Sequence, residues 1–280
     1  GGGFYGAFTA CEVKQARPDL RVTIVEQETE PFTKASSTNQ GQFHKGYMYS
    51  ADVGLARDCA QNAERFTTEF SEAIDNEVTS YFGIHAGSEI SADGYVSFCN
   101  DIGLPLQETA PDESRIFGSD IVASFRTVEK TFNGRKLQEH FLRRLGRSGV
   151  RIITGFPVHD VWEAGNGLAL RDSGGRAITG HHVFNVAFSG INKIHEQSGL
   201  TKVPLRHDVF LHFLLSLPDE YGNTAATVIR GPYSSLMPSK FRGDHILASG
   251  KFRQIKSALL DAPTEDIEQN TIDDIYNLAI

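Results

Sequence analysis

The sequence predicts an α/β protein, built on a βαβ core that carries a β-meander and is interrupted by a mixed α+β region. Three observations predict it. A glycine-spaced turn, Gly1-x-Gly3-x-x-Gly6, opens onto a small-residue helix. That helix leads into a compact β-branched run, residues 21–26 (RVTIVE), typical of a buried parallel strand. From residue 158 onward, short strand patterns are separated by turn signals, the strongest being Asp172-Ser173-Gly174-Gly175.

Taken in order, the first helix covers about residues 5–16, with Gly6, Ala7 and Ala10 on its early turns and Pro18 as its stop. Residues 33–46 are polar and small, without a core period. A long helix is expected over 53–74, turning Leu55, Cys59, Phe66, Phe70 and Ala73 inward. Residues 81–97 read as β structure or loop, and 98–103 as a short helix ending at Gly103. An amphipathic helix over 133–149 places Leu137, Phe141, Leu142 and Leu145 inside; Gly149 ends it and strand 150–153 follows. Meander strands are expected over 158–162, 168–171 and 177–181. A buried strand over 182–187 (HVFNVA) then turns at Ser189-Gly190. Further strands are expected over 209–217, 226–230 and 245–249, and residues 257–280 read as polar helix.

Composition narrows the function. The 280 residues are 40% apolar and 22% charged, ordinary for a globular protein, and carry a net charge of −8. Without a block of Lys and Arg, nucleic acid is not an expected partner. No apolar run approaches the roughly 20 residues of a transmembrane helix, so no membrane span is expected. Cys11, Cys59 and Cys99 are widely spaced and form no CxxC pair. They read as buried core thiols in a reducing cytoplasm, and no metal centre is expected.

The glycine turn carries the chemistry. The first glycine of such a motif permits a tight strand-to-helix turn, the second lets backbone approach a pyrophosphate, and the third lets helix and sheet pack closely. The helix N-terminus adds free N–H groups and a positive dipole end. Glu26 lies 23 residues after Gly3, at the end of the next strand, where a carboxylate can accept hydrogen bonds from a ribose diol. Dinucleotide binding follows. The small, polar residues 35–46 can lie along an extended cofactor, which favours FAD over NAD.

Gly1–Gly6, Glu26 and above all residues 36–49 (SSTNQGQFHKGYMY) resemble the flavoproteins of the D-amino-acid oxidase superfamily, in the branch of the L-2-hydroxyglutarate and glycerol-3-phosphate dehydrogenases. The resemblance continues through residues 149–161 (GVRIITGFPVHDV) and 183–190 (VFNVAFSG). It implies a Rossmann-like FAD-binding domain with a three-layer βα core from residues 1–80 and 140–200, and an inserted substrate domain from 81–139 and 200–280. It implies FAD contacts from Gly1, Gly3, Phe4, Tyr5, Gly6, Glu26, Gln27, Ser36, Ser37, Asn39, Gly41 and His44, with the Val158 backbone facing the adenine. Ser189 and Gly190 would close over the dinucleotide, although Phe188-Ser189-Gly190 departs from the family's Ala-Ala-Gly. The family's first strand would precede Gly1 and its last flavin-binding segment would follow Ile280, so the sequence is expected to be truncated at both ends.

The reaction that the resemblance implies is oxidation of a C–H next to a hydroxyl or amine on a small acidic substrate, a hydroxy or amino acid, by hydride transfer to flavin N5. His44 is the candidate base or flavin-adjacent contact, because an imidazole takes a proton near neutral pH; Tyr49 is a second candidate. A carboxylate substrate calls for an arginine fork, for which Arg230, before Gly231-Pro232-Tyr233, is preferred over Arg126 and Arg206. His207 and His245 are further possibilities. Two other readings stand beside this one: an NAD-linked dehydrogenase, and a flavoprotein fold or fragment without activity. The electron acceptor is not specified by the sequence.

Overall fold

A computed structural model describes residues 1–110, 112–113, 115–229, 234–239, 244–249 and 254–261. These fall into two compact units: residues 1–38, 138–209 and 255–261 in one, and residues 39–137 with the described part of 210–254 in the other.

In the first unit, helix Phe4–Ala16 buries only small residues, Gly6, Ala7, Ala10 and Cys11, so it can lie close to its neighbours. Strand Thr23–Val25 pairs in parallel with Arg151–Ile153, Ile24 opposite Ile152. Helix Gly134–Arg147 leads into that second strand. Its start is capped by Asn133, whose Oδ1 accepts from the Arg135 and Lys136 amides at 3.0 and 3.2 Å. Leu137, Phe141 and Leu145, spaced by four, form its buried stripe. The Phe141 ring meets Phe4 edge-on at 5.3 Å and stacks on Phe32 at 5.6 Å. Gly149 adopts φ 67°, the left-handed conformation that ends the helix.

The meander follows as Val158–Ala164, Gly167–Asp172 and Ala177–Gly180, all antiparallel. Its second turn works as the Asp-Ser-Gly-Gly sequence predicts. The Asp172 carboxylate accepts from the Gly174 and Arg176 amides at 3.0 and 2.8 Å, and Gly175 supplies φ 87°. Helix Ile191–Gln197 is tied to the meander by the Val161 amide, which donates to Ser198 Oγ at 2.9 Å. Strands Arg206–Phe210 and Gln254–Leu259 pair as a further two-stranded sheet.

In the second unit, the described strands form a seven-stranded sheet in the order Phe213–Leu215, Asp244–Ser249, Ser234–Ser239, Thr224–Ile229, Thr79–His85, Ile121–Thr127 and Leu106–Thr109. Its pairings are antiparallel except for Thr224–Ile229 against Thr79–His85. Helix Ala92–Asp101 supplies Tyr95, Phe98 and Cys99 to a core shared with Phe82, Ile84, Ala123, Phe125 and Ile229. A small sheet, Gln42–Phe43, Lys130–Phe132 and Ile74–Asp75, carries the loop that the sequence singles out.

The α/β class agrees with expectation; several elements do not. The helix expected over 53–74 is Val53–Glu69, and it turns Ala56 and Ala63 inward while Leu55 is exposed and Cys59 half-buried. Close approach explains the choice: a Cβ on Gly46 would lie 2.6 Å from the Ala56 carbonyl oxygen, so only small residues fit that face. The helix expected over 98–103 begins earlier, because Ser91 Oγ caps it by accepting from the Gly94 amide at 3.1 Å. Residues 182–187 pair with no described strand. The Asn185 side chain accepts from the Ala187 amide at 3.3 Å, a local bond that competes with a ladder. The strand expected over 209–217 is divided between two sheets, with residues 211–212 between the pieces. Residues 257–259 are strand rather than helix, since residues 206–210 offer them a partner; residues 262–280 lie outside the described ones.

Two outcomes follow. Phe141→Ala removes the ring that joins three aromatic contacts and lowers stability by about 3–5 kcal/mol, read as a lower urea midpoint. Thiol alkylation at neutral pH labels the half-buried Cys59 first, while Cys11 and Cys99 react only on unfolding, burial having pushed the Cys99 thiol up to about 12.

Candidate functional site

The first unit builds the glycine turn by close approach. A Cβ on Gly6 would lie 1.9 Å from the Gly1 carbonyl oxygen, and one on Gly1 would lie 2.6 Å from the Val186 carbonyl oxygen. A Cβ on Gly3 would lie 2.8 Å from Ser36 Oγ. Side chains at these positions would fill the cradle at the N-terminus of helix Phe4–Ala16. Ser36 Oγ already stands there, accepting from the Phe4 amide at 2.9 Å.

Glu26 is buried and both its oxygens are engaged: the Gly2 amide donates to Oε2 at 2.5 Å and the Glu28 amide to Oε1 at 3.0 Å. Each carboxylate oxygen retains acceptor capacity beyond one such bond. The glycine turn, its helix, Glu26 and Ser36 therefore form a donor-and-acceptor set suited to a diphosphate with an attached ribose.

The remaining expected contacts of this unit are more scattered. Tyr5 is exposed. Gln27 is exposed, with Nε2 donating to Glu28 Oε1 at 3.2 Å. Ser37 is exposed, its amide donating to the Lys34 carbonyl at 2.9 Å. Val158 opens the first meander strand at a register irregularity opposite Asp172. Ser189 and Gly190 lie in a short helical turn whose first residue, Phe188, has φ 53°.

In the second unit, residues 39–49 wrap around a buried carboxylate. Asn39 Oδ1 accepts from the Gly41 amide at 2.7 Å, and Gly41 takes φ 67°. Glu129, with 1% of its side chain exposed, accepts from Gln42 Nε2 at 2.7 Å and from the Lys45 amide at 3.1 Å. His44 Nδ1 lies 3.5 Å from Glu129 Oε1 and is a buried atom with no hydrogen bond among the described residues. The Tyr49 ring is 5.5 Å from the imidazole. Burial, then the neighbouring Cys59 and Glu129, raises the Tyr49 phenol above its ordinary range, so it stays protonated and acts as a donor. Burial and Lys130 lower the Lys45 ammonium, against the pull of Glu129; its Nζ sits 5.7 Å from the Phe43 ring centre.

Sequence reasoning missed Glu129. The signal was present: residues Ile121, Ala123, Phe125, Thr127, Glu129 and Thr131 are all buried, so a period of two runs through the carboxylate. Of the arginines, Arg230 lies outside the described residues. Arg126 bonds Tyr81 Oη at 3.2 Å and Glu113 at 2.9 Å, and Arg206 is exposed and pairs with Asp208 at 2.8 Å. His245 is buried against the Tyr221 carbonyl at 3.0 Å, and His207 Nε2 is buried with no hydrogen bond among the described residues. Among the described residues no helix is long and apolar enough to cross a membrane, and no cluster of His, Cys, Asp or Glu could hold a metal.

A family model described as FAD dependent oxidoreductase (DAO) matches residues 1–279. Glycine oxidase from Geobacillus kaustophilus superposes with a TM-score of 0.71 at 15% identity, over 100% of this chain and 75% of that one. Iminodiacetate oxidase from Chelativorans sp. BNC1 gives 0.70 at 16% identity, over 100% and 76%. These likenesses are of fold. An L-2-hydroxyglutarate dehydrogenase of Indibacter alkaliphilus is 31% identical over 61 residues, 22% of this chain and 15% of that relative's length.

Gly6→Ala forces the helix away from the Gly1 carbonyl and destabilises the chain by about 1–3 kcal/mol, measured by equilibrium urea unfolding.

Proposed function

Since the chain belongs to the FAD dependent oxidoreductase family, we propose that it binds FAD through the glycine turn and oxidises a small acidic substrate at a C–H next to a hydroxyl or amine. The observation that carries this reading is the cradle at Gly1, Gly3 and Gly6, which side chains would fill, set at a helix N-terminus beside the Glu26 carboxylate. Bound there, FAD would supply a two-electron acceptor for this oxidation.

The residues divide the remaining work. The first turn of helix Phe4–Ala16, with Gly1, Gly3, Phe4, Tyr5 and Gly6, receives the diphosphate, and Ser36 and Ser37 add hydroxyl donors beside it. Glu26 and Gln27 hold the ribose. The Val158 backbone, Ser189 and Gly190 would add contacts to the same cofactor, and Asn39, Gly41 and His44 are its further candidate contacts. His44 accepts the proton released from a substrate hydroxyl, and Tyr49 donates a hydrogen bond to the same group. Arg230 forms the fork for a substrate carboxylate.

In domain terms, residues 1–80 and 140–200 form the FAD-binding domain and residues 81–139 and 200–280 the substrate domain. Its substrate class, a hydroxy or amino acid, rests on the family and on the names of the relatives. Its three widely spaced cysteines suit a reducing compartment, and the cytoplasm is the proposed location.

An absorption spectrum of the purified chain tests the reading. A flavin spectrum, present on isolation or acquired on adding FAD and then bleached by a 2-hydroxy or amino acid, is the expected result. A folded chain that stays colourless with FAD added counts against it.

A further inference from the structure

We propose that Glu129 is the positioning residue of His44: it accepts the Nδ1 proton, and so keeps the lone pair on Nε2, the nitrogen left to take a proton. The catalytic meaning rests on the proposed function, but the arrangement of protons is a property of the chain alone.

Three observations carry it. Glu129 is a buried carboxylate, and a buried carboxylate needs donors. Two are in place, Gln42 Nε2 on Oε1 and the Lys45 amide on Oε2. The third neighbour of the carboxylate is His44 Nδ1, 3.5 Å from Oε1, a buried ring nitrogen with no hydrogen bond among the described residues. A movement of about half an ångström brings it to hydrogen-bonding range.

A neutral imidazole has one donor nitrogen and one acceptor, and the bond made by one decides the other. With an acceptor-only carboxylate at Nδ1, the proton is held there and Nε2 is bare. The other charged and titratable groups near the pair do not compete for that bond. The Lys45 ammonium lies over Phe43, Lys130 Nζ donates to the Asn76 carbonyl at 3.0 Å, and the Tyr49 phenol is held protonated beside Cys59.

The arrangement makes a distinctive prediction for Glu129→Gln. The Lys45 amide is a fixed donor, so it must face the new amide's oxygen. The amide nitrogen then takes the place of Oε1, and Gln42 can turn its own amide to accept from it. His44 Nδ1 now faces a donor and must accept, which moves the ring proton to Nε2.

The test is long-range ¹⁵N–¹H correlation spectroscopy of the flavin-loaded protein labelled at histidine, recorded on the alkaline side of the imidazole titration, with His44→Asn to assign the signal. The expected spectrum shows the Nδ1–H form in the unsubstituted protein and the Nε2–H form in Glu129→Gln. An Nε2–H form in the unsubstituted protein overturns the proposal, and so does an unchanged tautomer in a folded Glu129→Gln. The readout uses no turnover, so a failed substrate screen with the expected tautomers removes the proposed reaction and leaves the pairing standing.

Discussion

A carboxylate taken out of water must find donors, and Glu26 finds them in the backbone. Its oxygens hold the Gly2 and Glu28 amides, while its own amide donates to the Ile153 carbonyl at 2.8 Å and its carbonyl accepts from the Phe156 amide at 2.9 Å. One residue thus joins the glycine turn, the parallel strand pair and the run into the meander. The positions of Gly1 and Gly6 follow from the same constraint. With Gly2 drawn onto Glu26, the turn is pressed against Val186 on one side and the helix on the other, and no Cβ fits at either glycine.

The second unit meets the same physical problem with a different solution. Glu129 stands just before strand Lys130–Phe132, and its donors are the Gln42 side chain and the Lys45 amide of the segment that passes over it. Desolvation is offset by those bonds, and the loop gains a fixed path. The left-handed conformations of Gly41 and Gly46 bend that path tightly enough to keep His44 over the carboxylate and Tyr49 beside the imidazole.

Local chemistry was legible in the sequence where it acts alone. The glycine turn, the Asp172 turn and the four-residue stripe of helix Gly134–Arg147 each declare themselves within a few residues. The misread elements depend on distant partners. Nothing near Ala56 says that Gly46 will press against it, so the larger Leu55 and Cys59 looked like the inward face. Residues 182–187 have strand composition, yet no described strand lies beside them, and the Ala187 amide bonds the Asn185 side chain instead. Residues 257–259 become strand only because residues 206–210 lie alongside them. Glu129 was overlooked for a related reason: an acidic residue in an alternating pattern reads as solvated until the parity of its neighbours is counted.

The single parallel pairing of the large sheet has a bearing on how the chain is made. Strand Thr79–His85, with five consecutive buried residues, has Thr224–Ile229 as one of its two neighbours. A ribosome adds about 5–20 residues per second, so for many seconds after Thr79–His85 emerges, one edge of an apolar strand has no native neighbour. Antiparallel Ile121–Thr127 can cover the other edge early, which leaves a half-built sheet with a sticky side. A chain released before residues 224–229 are made therefore carries an apolar strand with one edge open to other chains.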